Sequence, residues 1–108
     1  MKKISEKQKK KNEEKKKYNA TMFSMFMDIW YKRPHNSEVS GRWLGNEALS
    51  IFFHHILPKS KYPDSAFDED NIILLTFEEH QKVENDPSYF EEVNKRREQL
   101  KQKYGRNF

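Results

Sequence analysis

From Tyr18 to Tyr31 the chain carries a single charged residue, Asp28, and its apolar side chains repeat at helical spacing. Phe23, Phe26, Met27 and Trp30 stand at i, i+3, i+4 and i+7, while Met22, Met25 and Ile29 cover the neighbouring face, which predicts a helix with a wide apolar surface. Such a surface can pack on its own domain or form a homodimer contact through residues 18–31. Arg33-Pro34 ends it, because proline disfavours helix in the residue before it. Residues 34–50 contain Gly41 and Gly45 and read as a loop or short hairpin around Trp43 and Leu44. The run Ile51-Phe52-Phe53-His54-His55-Ile56-Leu57 reads as a strand closed by Pro58, and Ile72-Ile73-Leu74-Leu75 as a second, with a polar loop between.

The second strand leads into Thr76-Phe77-Glu78-Glu79, an S/T-x-x-E capping box that predicts a helix start. Asp86-Pro87 ends that helix, and Pro87 is expected to open the next, which carries Phe90, Val93, Leu100 and Tyr104 until Gly105 stops it. The predicted class is α+β, mostly helical. Its divisions are a basic arm and amphipathic helix over 1–33, a strand-loop-strand-helix unit over 34–86, and a C-terminal helix over 87–108.

Composition sharpens this picture. With 34 % hydrophobic against 35 % charged residues in 108, the core must be small and in need of support. The chain has no cysteine, which excludes disulfides and cysteine-ligated zinc and leaves a metal on His and carboxylates, or another subunit. No apolar run is long enough to cross a membrane, and Met1-Lys2-Lys3 is not followed by an apolar signal region, so a cytoplasmic protein is expected. The net charge of +4 is uneven: residues 1–17 hold nine lysines against three glutamates, +6, and the remainder sums to −2. The run Lys9-Lys10-Lys11 and Lys15-Lys16-Lys17 is either a solvated or disordered tail or an arm that follows phosphates.

Three of the four histidines fall within the strand-loop-strand-helix unit. Imidazole is both a common metal ligand and the usual general base near neutral pH, so His54 and His55 could divide those labours. Neighbours on a regular strand point to opposite faces, however, and both reach one site only if the strand bends or ends there. His80 and Glu84 stand one helical turn apart and could clip a divalent cation, although the same spacing suits a solvated surface pair. Asn71, just before the second strand, can hydrogen-bond backbone and pin the loop.

The segment His54-His55-Ile56-Leu57-Pro58-Lys59-Ser60, then Asp68-Glu69-Asp70-Asn71-Ile72-Ile73-Leu74-Leu75, then His80, resembles the HNH motif of the ββα-metal endonucleases. The likeness covers about residues 37–85, with 16 residues from His55 to Asn71 and 9 from Asn71 to His80. It implies a ββα-metal core in 34–86. It further implies that His54 and His80 hold one divalent metal, that His55 is the general base, and that Asn71 orients that base from the loop. Glu84 lies where many relatives carry a further ligand and is a candidate third ligand. Mg²⁺ or Mn²⁺ is favoured in the cell, with Zn²⁺ or Ni²⁺ also compatible with imidazole ligation.

Many HNH domains carry a structural zinc on two C-x-x-C pairs. Here those places hold Ser37-Glu38-Val39-Ser40 and Thr76-Phe77-Glu78-Glu79, so no structural zinc is expected. Its role is expected to pass to packing, with the Thr76 capping box and Trp43, Leu44, Phe52 and Phe77 as candidates. The lysine-rich helix ahead of the unit is similar to phage recombination nucleases of the NinG/Rap type, which implies a bacterial or phage-infected host cell. The implied activity is hydrolysis of phosphodiester bonds in duplex or branched DNA. Lys59, Lys61 and Lys82, with the arm lysines, are candidate phosphate ligands. The competing expectation is a non-catalytic nucleic-acid-binding or assembly protein that keeps the fold.

Overall fold

In the computed structural model, which describes residues 5–105, three α-helices surround a two-stranded antiparallel sheet. Helix α1 spans Glu6–Lys32, strand β1 Phe53–His55, strand β2 Ile72–Leu74, helix α2 Phe77–Asn85 and helix α3 Glu91–Tyr104. Short 3-10 turns lie at Ser50–Phe52, Pro63–Ser65 and Glu69–Asn71. The architecture is α+β and mostly helical, as expected from the pattern.

The sheet is the middle layer. Phe53 pairs with Leu74, His54 with Ile73 and His55 with Ile72. Side chains alternate across a strand, so β2 sends Ile72 and Leu74 to one face and Ile73, with the following Leu75, to the other. The first face packs on Met22, Met25, Ile29 and Trp30 of α1, and the second on Val83 of α2 and Val93 and Leu100 of α3. Being covered on both sides explains why residues 72–75 are continuously apolar where a half-exposed strand would alternate. Each such aliphatic side chain contributes on the order of 1.5–3 kcal/mol by leaving water, which makes this layer the main source of stability.

Several boundaries differ from those the pattern predicts. The first strand is three residues, because Ser50–Phe52 coil into a turn in which the Phe52 amide donates to the Leu49 carbonyl at 3.0 Å. Pro87 does not open a helix: residues 87–90 form a turn, and α3 begins at Glu91 after the cap residue Phe90. The loop between the strands carries two of the 3-10 turns. The hairpin at 34–50 is present, with Asn36 bridged to Trp43.

Helix α1 starts well before Tyr18. Ser5 accepts from the Gln8 amide, and Ser5-x-x-Gln8 is itself a capping pattern, set among the lysines. Residues 6–17 are therefore helical and continuous with the apolar segment, and they are exposed throughout. Lys2 and Lys3 lie outside the described residues. The buried stripe of α1 is Met22, Met25, Ile29 and Trp30, with Phe26 packed at its edge. Phe23 is 66 % exposed, so it belongs to the solvent face and not to the main stripe. Of the four side chains expected in a dimer contact, Trp30 is buried and Phe26 and Met27 partly buried within the chain's own fold.

Polar contacts tie residues 37–40 to the start of α2. The Ser37 hydroxyl donates to Glu79 at 2.5 Å, accepts from the Val39 and Ser40 amides, and is buried. Glu79 also accepts from the Thr76 amide at 2.8 Å, and the full capping box forms. Burial pushes the Glu79 carboxyl up, but hydrogen bonds from Ser37, Ser40 and Thr76 outweigh it and hold the group below the usual carboxylate range. Beside it Glu38 accepts from the Leu74 amide, Arg33 and Arg96, tying β2 to the end of α1 and to α3. A hydrogen-bonded polar cluster supports the scaffold here, together with buried Leu44 and Phe52. Trp43 and Phe77, expected to share that role, are 68 % and 50 % exposed.

Candidate active site

Among the described residues the sheet has two strands, so the outer edge of β1 has no strand neighbour there. With α1 on one face and α2 on the other, that edge becomes the floor of a cleft of about 750 Å³. Met22 and Phe26 of α1 line one wall, and His80, Val83 and Glu84 of α2 the other. His54 and His55 do point to opposite faces of the sheet, as strand geometry requires. They nevertheless line one cleft because it wraps the open edge, and no bend of the strand is needed.

On the α2 side His54, His80 and Glu84 form a cluster whose ligand atoms lie within 4.8 Å of one another. His80 Nε2 is 3.0 Å from Glu84 Oε1, and His54 Nδ1 is 3.8 Å from the same oxygen. His80 Nδ1 lies 2.6 Å from the Ile51 carbonyl, and since a carbonyl only accepts, Nδ1 carries the proton. The 3-10 turn before β1 is what brings that carbonyl to the ring. In the neutral ring, Nε2 then faces a carboxylate oxygen, acceptor against acceptor. The contact requires a cation between them, either a proton on Nε2 or a metal ion. Octahedral ligands at about 2.1 Å from an ion sit about 3 Å apart, so the His80–Glu84 edge already fits one.

His54 fits the same role. Burial, reinforced by His80, lowers its pKa from 6.5 to about 4 against the opposing pull of Glu84, so the ring is neutral at neutral pH, as a ligand must be. The shift has a consequence for stability. The unfolded chain takes a proton on this ring near pH 6.5 and the folded one only near 4, so stability present above 6.5 is lost as pH falls to 4. For this side chain, 12 % exposed, the loss is about 3 kcal/mol. Urea titrations of the metal-free protein should show a midpoint that drops between about pH 7 and pH 4.5, and less steeply in His54→Gln. A midpoint as acid-sensitive in the variant as in the parent would contradict the assignment.

His55 sits on the α1 side, 6.0 Å from the Phe26 ring. Its Nε2 donates to the Ala66 carbonyl at 3.0 Å, which leaves the lone pair on Nδ1. Burial lowers its pKa, partly countered by the Ala66 bond, so this imidazole too favours the neutral form. Asn71 does not touch His55. Its Oδ1 accepts from the Leu57 amide at 2.7 Å, and its Nδ2 faces the Leu57 carbonyl and the Ser65 carbonyl and hydroxyl. The amide clamps the two ends of the loop, and Ala66, next to Ser65, holds the ring. The link from Asn71 to the His55 ring runs through the backbone of Ser65 and Ala66.

The candidate cations divide. Lys59 lines the cleft, its ammonium 5.8 Å from the centre of the Tyr18 ring. Lys61 and Lys82 are not among the lining residues, and Lys82 lies over Tyr89. Arg97 of α3 does line the cleft, and no spacing rule points to it, since it follows Glu84 by a turn and half a helix. The fourth histidine, His35, stacks on Trp30 at 3.9 Å and bonds its carbonyl, a packing role. Among the described residues no helix is long and apolar enough to cross a membrane. Compared with known proteins, the chain matches no family model, no curated protein and no solved structure.

Proposed function

We propose that the protein is a divalent-metal-dependent endonuclease of the HNH, ββα-metal type that hydrolyses DNA phosphodiester bonds. The observation that carries this reading is the division of three histidines in one cleft. Two cluster with a carboxylate, their ligand atoms within 4.8 Å of one another, and the third is held apart by a backbone carbonyl with its other nitrogen unprotonated. Strand alternation separates His55 from His54, and the open edge of β1 returns both to one cleft.

His55 Nδ1 takes a proton from water as the water oxygen bonds to phosphorus and the bond to the 3′-oxygen breaks. Ala66 fixes the tautomer that makes this nitrogen the base. A divalent cation on His54, His80 and Glu84, with Mg²⁺ or Mn²⁺ favoured, would act as a Lewis acid for the charge on the departing oxygen. Lys59 adds positive potential within the cleft.

The test is cleavage of supercoiled, linear, single-stranded and branched DNA with and without added Mg²⁺ or Mn²⁺. Activity is expected with metal and is lost on chelation, while the helical circular-dichroism signal stays, since the scaffold rests on side-chain packing and hydrogen bonds. Binding without metal-dependent cleavage on every substrate would return the chain to a nucleic-acid-binding or assembly role. Loss of helicity on chelation would mean that the metal holds the fold.

The exposed lysines of α1, Lys9, Lys10, Lys11, Lys15, Lys16 and Lys17, extend the electrostatic footprint as a helical rod of about 13 Å. Deleting residues 1–17 should lower affinity for all sequences alike. The slope of log K against log salt should fall by about 0.9 for each duplex phosphate that the shortened chain no longer neutralises, and an unchanged slope would remove the arm from the interface.

A further inference from the structure

Two adjacent arginines on α3 have opposite fates. Arg96 is neutralised: Glu38 and Glu92 accept from it at 3.0 and 2.9 Å. Arg97, one residue on, makes no ion pair among the described residues, although the chain holds 17 carboxylate side chains. Its two hydrogen bonds go to neutral oxygens, Nη1 to Asn94 Oδ1 at 2.7 Å and Nη2 to the Pro87 carbonyl at 2.6 Å. A guanidinium has five N–H donors, so three remain, and its full charge is uncompensated. The group is partly buried, fixed at both ends of its fork, and set in the wall of the cleft that holds His54, His55 and Glu84.

A pinned, unpaired guanidinium facing a cleft is pre-organised for an oxyanion, because its geometry is fixed before binding and little side-chain entropy is lost. A phosphodiester brings two non-bridging oxygens that can meet the guanidinium on one side and a metal on the other. We infer that Arg97 is the phosphate anchor of the cleft, binding a non-bridging oxygen of the scissile phosphodiester. The inference rests on the nuclease reading and adds to it the residue that sets the phosphate in register with His55. A merely structural role, tying the turn at 87–88 to α3, is already served by Asn94, whose Nδ2 donates to the Ser88 carbonyl at 2.9 Å.

The experiment compares wild type, Arg97→Gln, Arg97→Lys and Arg97→Ala in cleavage at saturating Mg²⁺ or Mn²⁺, beside metal affinity and thermal midpoint. Arg97→Gln should lose about 100-fold in kcat/KM with metal affinity unchanged. Arg97→Lys, which keeps the charge without the fork, should lose about tenfold. Added guanidinium ion should restore part of the Arg97→Ala rate, which a packing defect would not allow. Wild-type rates in a folded Arg97→Gln overturn the anchor; if that variant does not fold, wild-type rates in Arg97→Lys do so. Should wild type cleave nothing, the nuclease reading fails, and calorimetry with inorganic phosphate on the metal-loaded protein decides Arg97 separately. Binding abolished in Arg97→Gln keeps the anchor, and binding equal in both removes it.

Discussion

Replacing His55 with alanine should lower metal-dependent cleavage by about 10²–10⁴-fold while leaving DNA affinity nearly unchanged. A general base acts on the attacking water in the transition state and contributes little to holding the substrate, so the loss falls on kcat and not on KM. Metal affinity should also survive, because His55 lies on the other face of the sheet from His54, His80 and Glu84. His54→Ala and His80→Ala define the contrast: each removes a ligand, and both metal affinity and rate should fall. Cleavage kinetics and calorimetric metal titrations of the three variants separate base from ligands. His55→Ala cutting as fast as wild type would remove the base from this site, whatever else the protein does.

Asn71→Ala should cost about 3–5 kcal/mol, the largest stability loss expected of any substitution in the loop. The residue is fully buried, and every polar atom of its amide is engaged: the Leu57 amide donates to it, and the Leu57 and Ser65 oxygens accept from it. Alanine would strand a buried amide and carbonyl groups that water cannot reach, each costing about 1–3 kcal/mol. Against a typical total of about 5–15 kcal/mol, this brings the protein close to unfolding under mild conditions. Ser65→Ala, which removes only the hydroxyl that bonds the Tyr62 carbonyl and Asn71, should cost about 1 kcal/mol. Urea titrations followed by circular dichroism measure both. Equal midpoints for Asn71→Ala and wild type would show that the loop holds without its clamp. Where Asn71→Ala stays folded, its cleavage rate should drop through displacement of Ala66, and the variant should retain metal affinity.

These two residues also mark the boundary of what a sequence expresses. Local rules place the apolar stripe near Met22–Trp30, the second strand, the capping box at Thr76 and the stop at Gly105. In each case the signal lies within a few residues of its effect: helical spacing, a doubly covered strand, a reciprocal cap, a residue free to adopt φ of 49°. The i, i+4 pair His80 and Glu84 is legible for the same reason, since one helical turn fixes their proximity. The cap at Ser5 is equally local, but the lysines around it mask the helix start.

What the chain's order could not express is which surfaces meet. That Phe23 faces water while Met22 is buried depends on which side of α1 the sheet takes, a choice between two neighbouring faces of similar apolarity. That His54 and His55 serve one cleft follows from β1 being an edge strand, a property of sheet topology and not of residues 54 and 55. The step from Asn71 to His55 passes through the Ser65 and Ala66 carbonyls, backbone groups that any sequence possesses and none advertises. Arg96 and Arg97 are chemically alike and adjacent. The 100° step between successive helix positions turns one to Glu38 and the other into the cleft, and only the packing of α3 against the sheet decides which. The sequence by itself determined the order and type of the main elements and the histidine chemistry; the tertiary structure decided their convergence, because side-chain type is local whereas proximity is a property of packed elements.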